Sequence, residues 1–204
     1  MQLPSDAVEQ MNAGIPLVKV TGEPKYPKNV AINGCVIQYF VARWEKKDKM
    51  AVCERLRLQK SPHVGEATVF VSWYLGTPIS TLLDALANFL KQQGLREEDT
   101  FFWVCDYVIR QTDVKTDLTY LGDCVSALGR TVLLMEPWSD PEPLKRAYYI
   151  KEVYHTQLSG ARLDMAMSTR QQQDFQRTLQ VCMKDFSSII LLSVDVQQVR
   201  TALG

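Results

Sequence analysis

With 204 residues, 46% of them hydrophobic, the chain is long enough to bury a core as one domain, or as one domain with an appendage, and disorder is not its default state. Lys plus Arg equals Asp plus Glu at 23 each, so no summed field draws it to nucleic acid or to an anionic membrane. No apolar stretch reaches the roughly 20 residues of a membrane-spanning helix, Met1 to Pro16 lacks the pattern of a signal peptide, and five cysteines without a CxxC pair plus two distant histidines fit a reduced, cytoplasmic protein without a zinc site.

Residues 1–29 are polar and broken by Pro4, Pro16, Pro24 and Pro27, the pattern of a flexible arm. Residues 30–66 make an N-terminal extension. In "VAINGCVIQYFVARW" (30–44), Asn33-Gly34 between two apolar runs signals a two-residue hairpin, and Cys35 to Trp44 also fits a helix. "KKDKMAVCERLRLQK" (46–60) reads as a short charged helix ended by "SPHVGE".

From residue 67 to 204 the pattern is that of an α/β domain. Apolar runs rich in Val, Phe, Ile and Leu alternate with segments of helical period, which predicts a five-stranded parallel sheet flanked by helices. The strands are "TVFVS" (68–72), "TFFWVC" (100–105), "TVLLM" (131–135), "RLDMAM" (162–167) and "SIILLSV" (188–194). Between the first two, "TPISTLLDALANFLKQQG" (77–94) has Thr77 as a cap, Pro78 at the first helical position and a stripe of Ile79, Leu82, Leu83, Leu86, Phe89 and Leu90, ended by Gly94. Further helices are predicted over 117–129, 143–158 and 169–186.

In such a sheet, ligands bind beyond the carboxyl ends of the strands, near the point where strand order reverses. That rule selects Ser72, Trp73 and Tyr74 after the first strand, Asp106 after the second, and Glu136, Pro137 and Trp138 after the third. On the helix that follows, a 100° step places Leu144, Ala147, Ile150 and Tyr154 on one face and Tyr148, Glu152 and His155 on its neighbour. Glu152 flanks the stripe expected to face the core. It is either a solvated glutamate paired with Lys145 or Lys151, or a desolvated carboxylate held against a polar ligand. The other candidates divide in the same way: Asp106 caps a loop or binds, Trp73 and Trp138 close the core or stack on a base, Cys105 is an inert core thiol, and His155 answers the helix dipole.

Several chemistries find no motif: GxGxxG after a strand, GxxxxGK[ST], GxSxG and HExxH are all missing. "YLGTPIST" (74–81) resembles a phosphate loop through the free amides of a helix start at Thr77, but carries one glycine. A phospho-receiver would want paired acids after the first strand and an aspartate after the third, where this chain has Ser72-Trp73 and Glu136-Pro137.

"HVGEATVFVSW" (63–73), "LLDAL" (82–86), "FFWVCDYVIRQ" (101–111), "ALGRTVLLMEPWSDPEPLKRAYYIKEVYHT" (127–156) and "LDMAMS" (163–168) together resemble a TIR-like domain found in algal and protist multidomain proteins, often beside tetratricopeptide repeats. The resemblance runs from about Met50 to the end, and its "EPW.DP.PL.RA…E.Y.T" block is specific. It implies a flavodoxin-like sheet and cleavage of NAD at the nicotinamide–ribose bond, with NAD as substrate and no cofactor. It makes Glu152, four residues after Tyr148, the catalytic carboxylate, with Ser72 and Trp73 lining the ribose or nicotinamide side and Tyr148 packing beside the carboxylate. It also implies self-association, since related domains build the site between protomers. The departures fall on the rim. Trp73 stands where the family has His after "FVS", Arg110, Gln111 and Thr112 replace Asn-Gln-His, and Tyr148-Tyr149 replace Trp-Cys.

Two functions follow from different classes: an NAD glycohydrolase or cyclase using Glu152, and a catalytically degenerate signalling module that self-associates through loops such as 106–118. A third is a nucleotide binder using the helix start at Thr77. Fold alone does not separate them.

Overall fold

The computed structural model describes residue 3 and residues 5–14, 31–145 and 147–184. Four short strands, β1 (Val69–Ser72), β2 (Phe102–Val104), β3 (Arg130–Leu134) and β4 (Arg162–Ala166), form one parallel sheet in the order β2-β1-β3-β4. Helices α4 (Ile79–Gln93), α5 (Cys105–Val108), α6 (Val114–Asp117), α7 (Leu121–Leu128) and α8 (Ala147–Leu158) connect them, and α9 runs over 169–184. This α/β order is compatible with a flavodoxin-like fold. The predicted fifth strand, 188–194, lies outside the described residues.

Strands β1, β2 and β3 read as continuous apolar runs because both of their faces are covered, whereas β4, at one edge of the described sheet, carries Arg162 and Asp164 and is partly exposed. On one face Val69, Val71, Val104, Val132 and Leu134 pack against Leu82, Ala85, Leu86 and Phe89 of α4. On the other, Phe70 and Trp103 stack with ring centroids 4.7 Å apart, beside Ile109 and the α7 residues Leu121 and Val125. The predicted stripe of α4 is corrected at Leu83, which is exposed, with Ala85 buried in its place. Helix α4 starts at Ile79 after Pro78 and ends at Gly94, whose φ of 62° is the left-handed conformation that favours glycine.

The N-terminal extension departs most from expectation. Asn33-Gly34 is no hairpin turn but the start of α2 (Gly34–Asp48): the Asn33 side chain accepts a hydrogen bond from the Val36 amide at 3.1 Å. Asparagine serves both roles, and the local signal is shared. The single charged helix expected over 46–60 is the end of α2, a break at Lys49, and α3 (Val52–Leu58), whose first turn is tied by Glu54 to the Ala51 amide. Within the predicted arm, α1 (Ala7–Gly14) packs Ala7 and Met11 against Val36, Tyr39 and Phe40 of α2. The described helices include none long and apolar enough to cross a membrane.

Candidate functional site

Strand order reverses between β1 and β3: the chain leaves β1 to form β2 on one side, then returns to form β3 on the other. Loops diverge at such a point and leave a crevice beyond the strand ends. Ser72 is the last residue of β1, opposite Leu133 of β3. Helix α8 crosses this point and delivers Glu152 to it. The Ser72 hydroxyl donates to Glu152 Oε2 at 2.5 Å, and the carboxylate is only 8% exposed.

Helix α8 is held by polar rungs rather than by an apolar face. One turn before Glu152, the Tyr149 hydroxyl donates to the Trp73 carbonyl. One turn after it, Thr156 Oγ1 donates to the Glu152 carbonyl at 2.8 Å and lies 2.8 Å from Thr131 Oγ1 of β3. The face assignment made from periodicity is therefore reversed. Tyr149, Glu152 and Thr156 point inward, while Leu144, Ile150, Tyr154 and Leu158 are exposed.

Tyr148, expected beside the carboxylate, is 59% exposed, and its neighbour Tyr149 is the buried ring. The chain carries adjacent tyrosines here, and a 100° turn of the helix decides which one faces the sheet. Tyr149 was the residue that periodicity missed. The polar side chains at 149, 152 and 156, spaced three and four apart, were the available signal.

Asp106 joins the cluster from β2. The predicted strand stops at Val104, Cys105 opens α5, and Asp106 in its first turn is wholly buried. Its Oδ2 accepts from the Trp73 indole nitrogen at 3.0 Å and from the Cys105 thiol at 3.4 Å. Among the described residues, Oδ1 has no partner. The Trp73 indole is thus fixed by Asp106 and buried against the α4 side of the sheet, not free to stack on a ligand.

Trp138 is not brought to this cluster. It packs edge-on against Phe175 of α9 with centroids 5.1 Å apart, and its indole nitrogen donates to Asp174 at 2.9 Å. Glu136 likewise turns away, accepting from the Ser168 amide at 2.7 Å. It lines a hollow of about 310 Å³ with Ser80, Thr81, Asp84, Arg170 and Gln171. The predicted anion site at the start of α4 meets a competitor, since the Ile79 amide donates to the Ile32 carbonyl at 2.9 Å.

Burial raises both carboxyls of the cluster. Glu152 is pushed up to about 7, first by desolvation and then by the charge of Asp106, against the lowering effect of the Ser72 hydrogen bond. Asp106 is pushed up to about 6 by desolvation, against hydrogen bonds from Cys105, Gln38 and Trp73. The Cys105 thiol is raised well above its ordinary value by burial and by these two acids, which makes it a poor nucleophile. Two acids with raised pKa values at a strand-end crevice can hold or accept a proton near neutral pH. Among the described residues, no group of three or more His, Cys, Asp or Glu is placed to hold a metal ion.

Compared with protein-family models, with curated proteins and with solved structures, the chain gives no match.

Proposed function

We propose that the chain is a TIR-like domain that cleaves NAD at the nicotinamide–ribose bond with Glu152 as the reacting carboxylate. The observation that supports it is the buried Ser72–Glu152 hydrogen bond, 2.5 Å long, at the reversal point of the sheet, together with the resemblance of residues 127–156 to that family. Breaking the N-glycosidic bond sends its electron pair to the pyridinium nitrogen, releasing neutral nicotinamide and leaving positive charge on the ribose. A carboxylate that accepts the ribose hydroxyl protons and faces that carbon stabilises the transition state more than the ground state. Water then adds to the carbon and loses its proton, giving ADP-ribose; capture by an adenine nitrogen in place of water gives the cyclic product. With Glu152 titrating near 7, the group is poised to take and release a proton at working pH.

Concentrated protein is mixed with NAD and nicotinamide release is followed, with Glu152→Ala as the control. Release that disappears in the variant supports the assignment; equal release from both proteins refutes it. The second function, a degenerate signalling module that self-associates, draws on the rim: Trp73 locked on Asp106 and Tyr148 turned to solvent. Its signature is concentration-dependent self-association without nicotinamide release at any concentration.

A further inference from the structure

The Trp73–Asp106 side of the Ser72–Glu152–Asp106 cluster lies under an element that the α/β fold itself does not require. Ser72, Asp106 and Glu152 are each less than a tenth exposed, and neither the hollow of about 400 Å³ beside Arg96 and Arg130 nor the one of about 310 Å³ beside Glu136 opens on them. A dinucleotide cannot reach a carboxylate so buried. On the Trp73–Asp106 side the covering element is α2. The Gln38 side chain lies near enough to Asp106 to lower its pKa, and Gly34 sits so close that a Cβ built there would lie 2.8 Å from Trp73 Cη2 and 2.9 Å from Leu75 Cα.

The cover has its own small core. The apolar face of α2 packs on α1, through Val36, Tyr39 and Phe40 against Ala7 and Met11, with Leu3, Val8 and Trp44 at the edge; no residue of the sheet belongs to that cluster. Attachment to the α/β unit combines the buried α2 residues Cys35, Ile37 and Val41, which lie outside that cluster, with hydrogen bonds. The Cys35 amide donates to the Leu75 carbonyl at 3.2 Å, and the Ile79 amide to the Ile32 carbonyl at 2.9 Å. Asn33 and Pro78 form an isolated antiparallel bridge, and the Asn33 side chain reaches the Gly76 carbonyl at 3.4 Å. At the far end of α2, Glu45 Oε2 accepts from the Thr112 amide at 2.9 Å. That latch is incomplete, because Glu45 Oε1 is buried without a partner among the described residues, and a buried unpaired carboxylate oxygen opposes closure.

A unit with a core of its own, fastened over a crevice in part by exchangeable hydrogen bonds, can lift without unfolding what lies beneath. We infer that residues 31–48 are an autoinhibitory lid: closed, they exclude substrate from Glu152, and their release switches the site on. This rests on the assignment of Glu152 as the reacting carboxylate, so the test carries a readout independent of turnover.

Two variants of the full chain move the lid in opposite directions. Gly34→Ala puts a methyl group against the Leu75 backbone and wedges the lid open. Asn33→Cys with Pro78→Cys places thiols across a bridge whose Cα separation, about 4.5–5.5 Å for such pairs, suits a disulfide and locks the lid shut. Nicotinamide release from NAD is measured beside amide hydrogen exchange of segments 70–74 and 103–109, with the unmodified chain under the same oxidant as control. The lid predicts release rising severalfold and exchange quickening about tenfold in Gly34→Ala. It predicts both falling at least tenfold in the oxidised double variant and returning with reductant. Nicotinamide release from the cross-linked chain at the rate of the reduced chain overturns the lid. If no form releases nicotinamide, the NAD assignment fails, and exchange alone decides: opposite shifts in the two variants uphold a lid over the cluster, and unchanged exchange removes it.

Discussion

Glu152→Gln separates what the buried carboxylate does for the reaction from what it does to the fold. In the unfolded chain this carboxyl ionises at its ordinary 4.5; in the folded chain burial holds the proton until about 7. Below the lower value both states are protonated and there is no penalty. Between the two values only the folded state keeps the proton, so stability falls as pH rises, and above about 7 the whole penalty is present. A rise from 4.5 to about 7 corresponds to about 3 kcal/mol. Glutamine keeps the shape and an oxygen to accept from Ser72, yet cannot ionise. The variant is expected to match the parent near pH 4 and to exceed it by about 3 kcal/mol near pH 8, while releasing no nicotinamide. Urea denaturation of both proteins across that range measures the difference. Asp106, whose charge helps to raise Glu152, titrates in a neighbouring range, so the difference reports Glu152 together with its coupling to Asp106. Stability curves that run parallel at every pH refute the claim that this carboxylate is held desolvated.

Four more substitutions probe the frame around it. Tyr149→Phe removes the hydrogen bond to the Trp73 carbonyl and is expected to cost about 1–2 kcal/mol by urea denaturation, whereas Tyr148→Phe, at an exposed ring, stays within about 0.5 kcal/mol; equal effects contradict the placement of the two rings. Phe89→Ala opens a cavity beneath Val69 and Val132 and should lower stability by about 3–5 kcal/mol, read as a drop in the denaturation midpoint with unchanged slope. Asp164→Ala leaves Arg130 without the carboxylate it bonds at 2.8 Å; that pair is largely buried, so a loss of about 3 kcal/mol is expected, and a loss below about 1 kcal/mol shows that water serves Arg130 equally well.

Three strands of the sheet were legible because they are apolar on both faces: Val69 to Val71, Phe102 to Val104 and Thr131 to Leu134 lie within a residue or two of where the runs predicted them. Ser72 followed from being last in such a run, and Asp106 from being just past one. Helix α8 was misread for a physical reason. Periodicity assumes that the apolar stripe faces inward, and here the inward face is satisfied by hydrogen bonds to Ser72, the Trp73 carbonyl and Thr131, partners that no local pattern reveals. Trp138 was assigned to the crevice because its place in the chain follows a strand, but Asp174 and Phe175, more than thirty residues later, draw it away. Asn33-Gly34 shows the same limit, since one dipeptide serves two structures and the apolar partner that settles the matter, α1, lies in a stretch that reads as an arm.

The three rungs beneath α8 set the tolerance with which Glu152 is aimed. An apolar interface lets a helix slip or roll by a fraction of a turn at little penalty, because greasy contacts are exchangeable. Directional bonds from 149, 152 and 156 to the Trp73 carbonyl, Ser72 and Thr131 break together if the helix rolls by a single residue, so this carboxylate has one bearing or none.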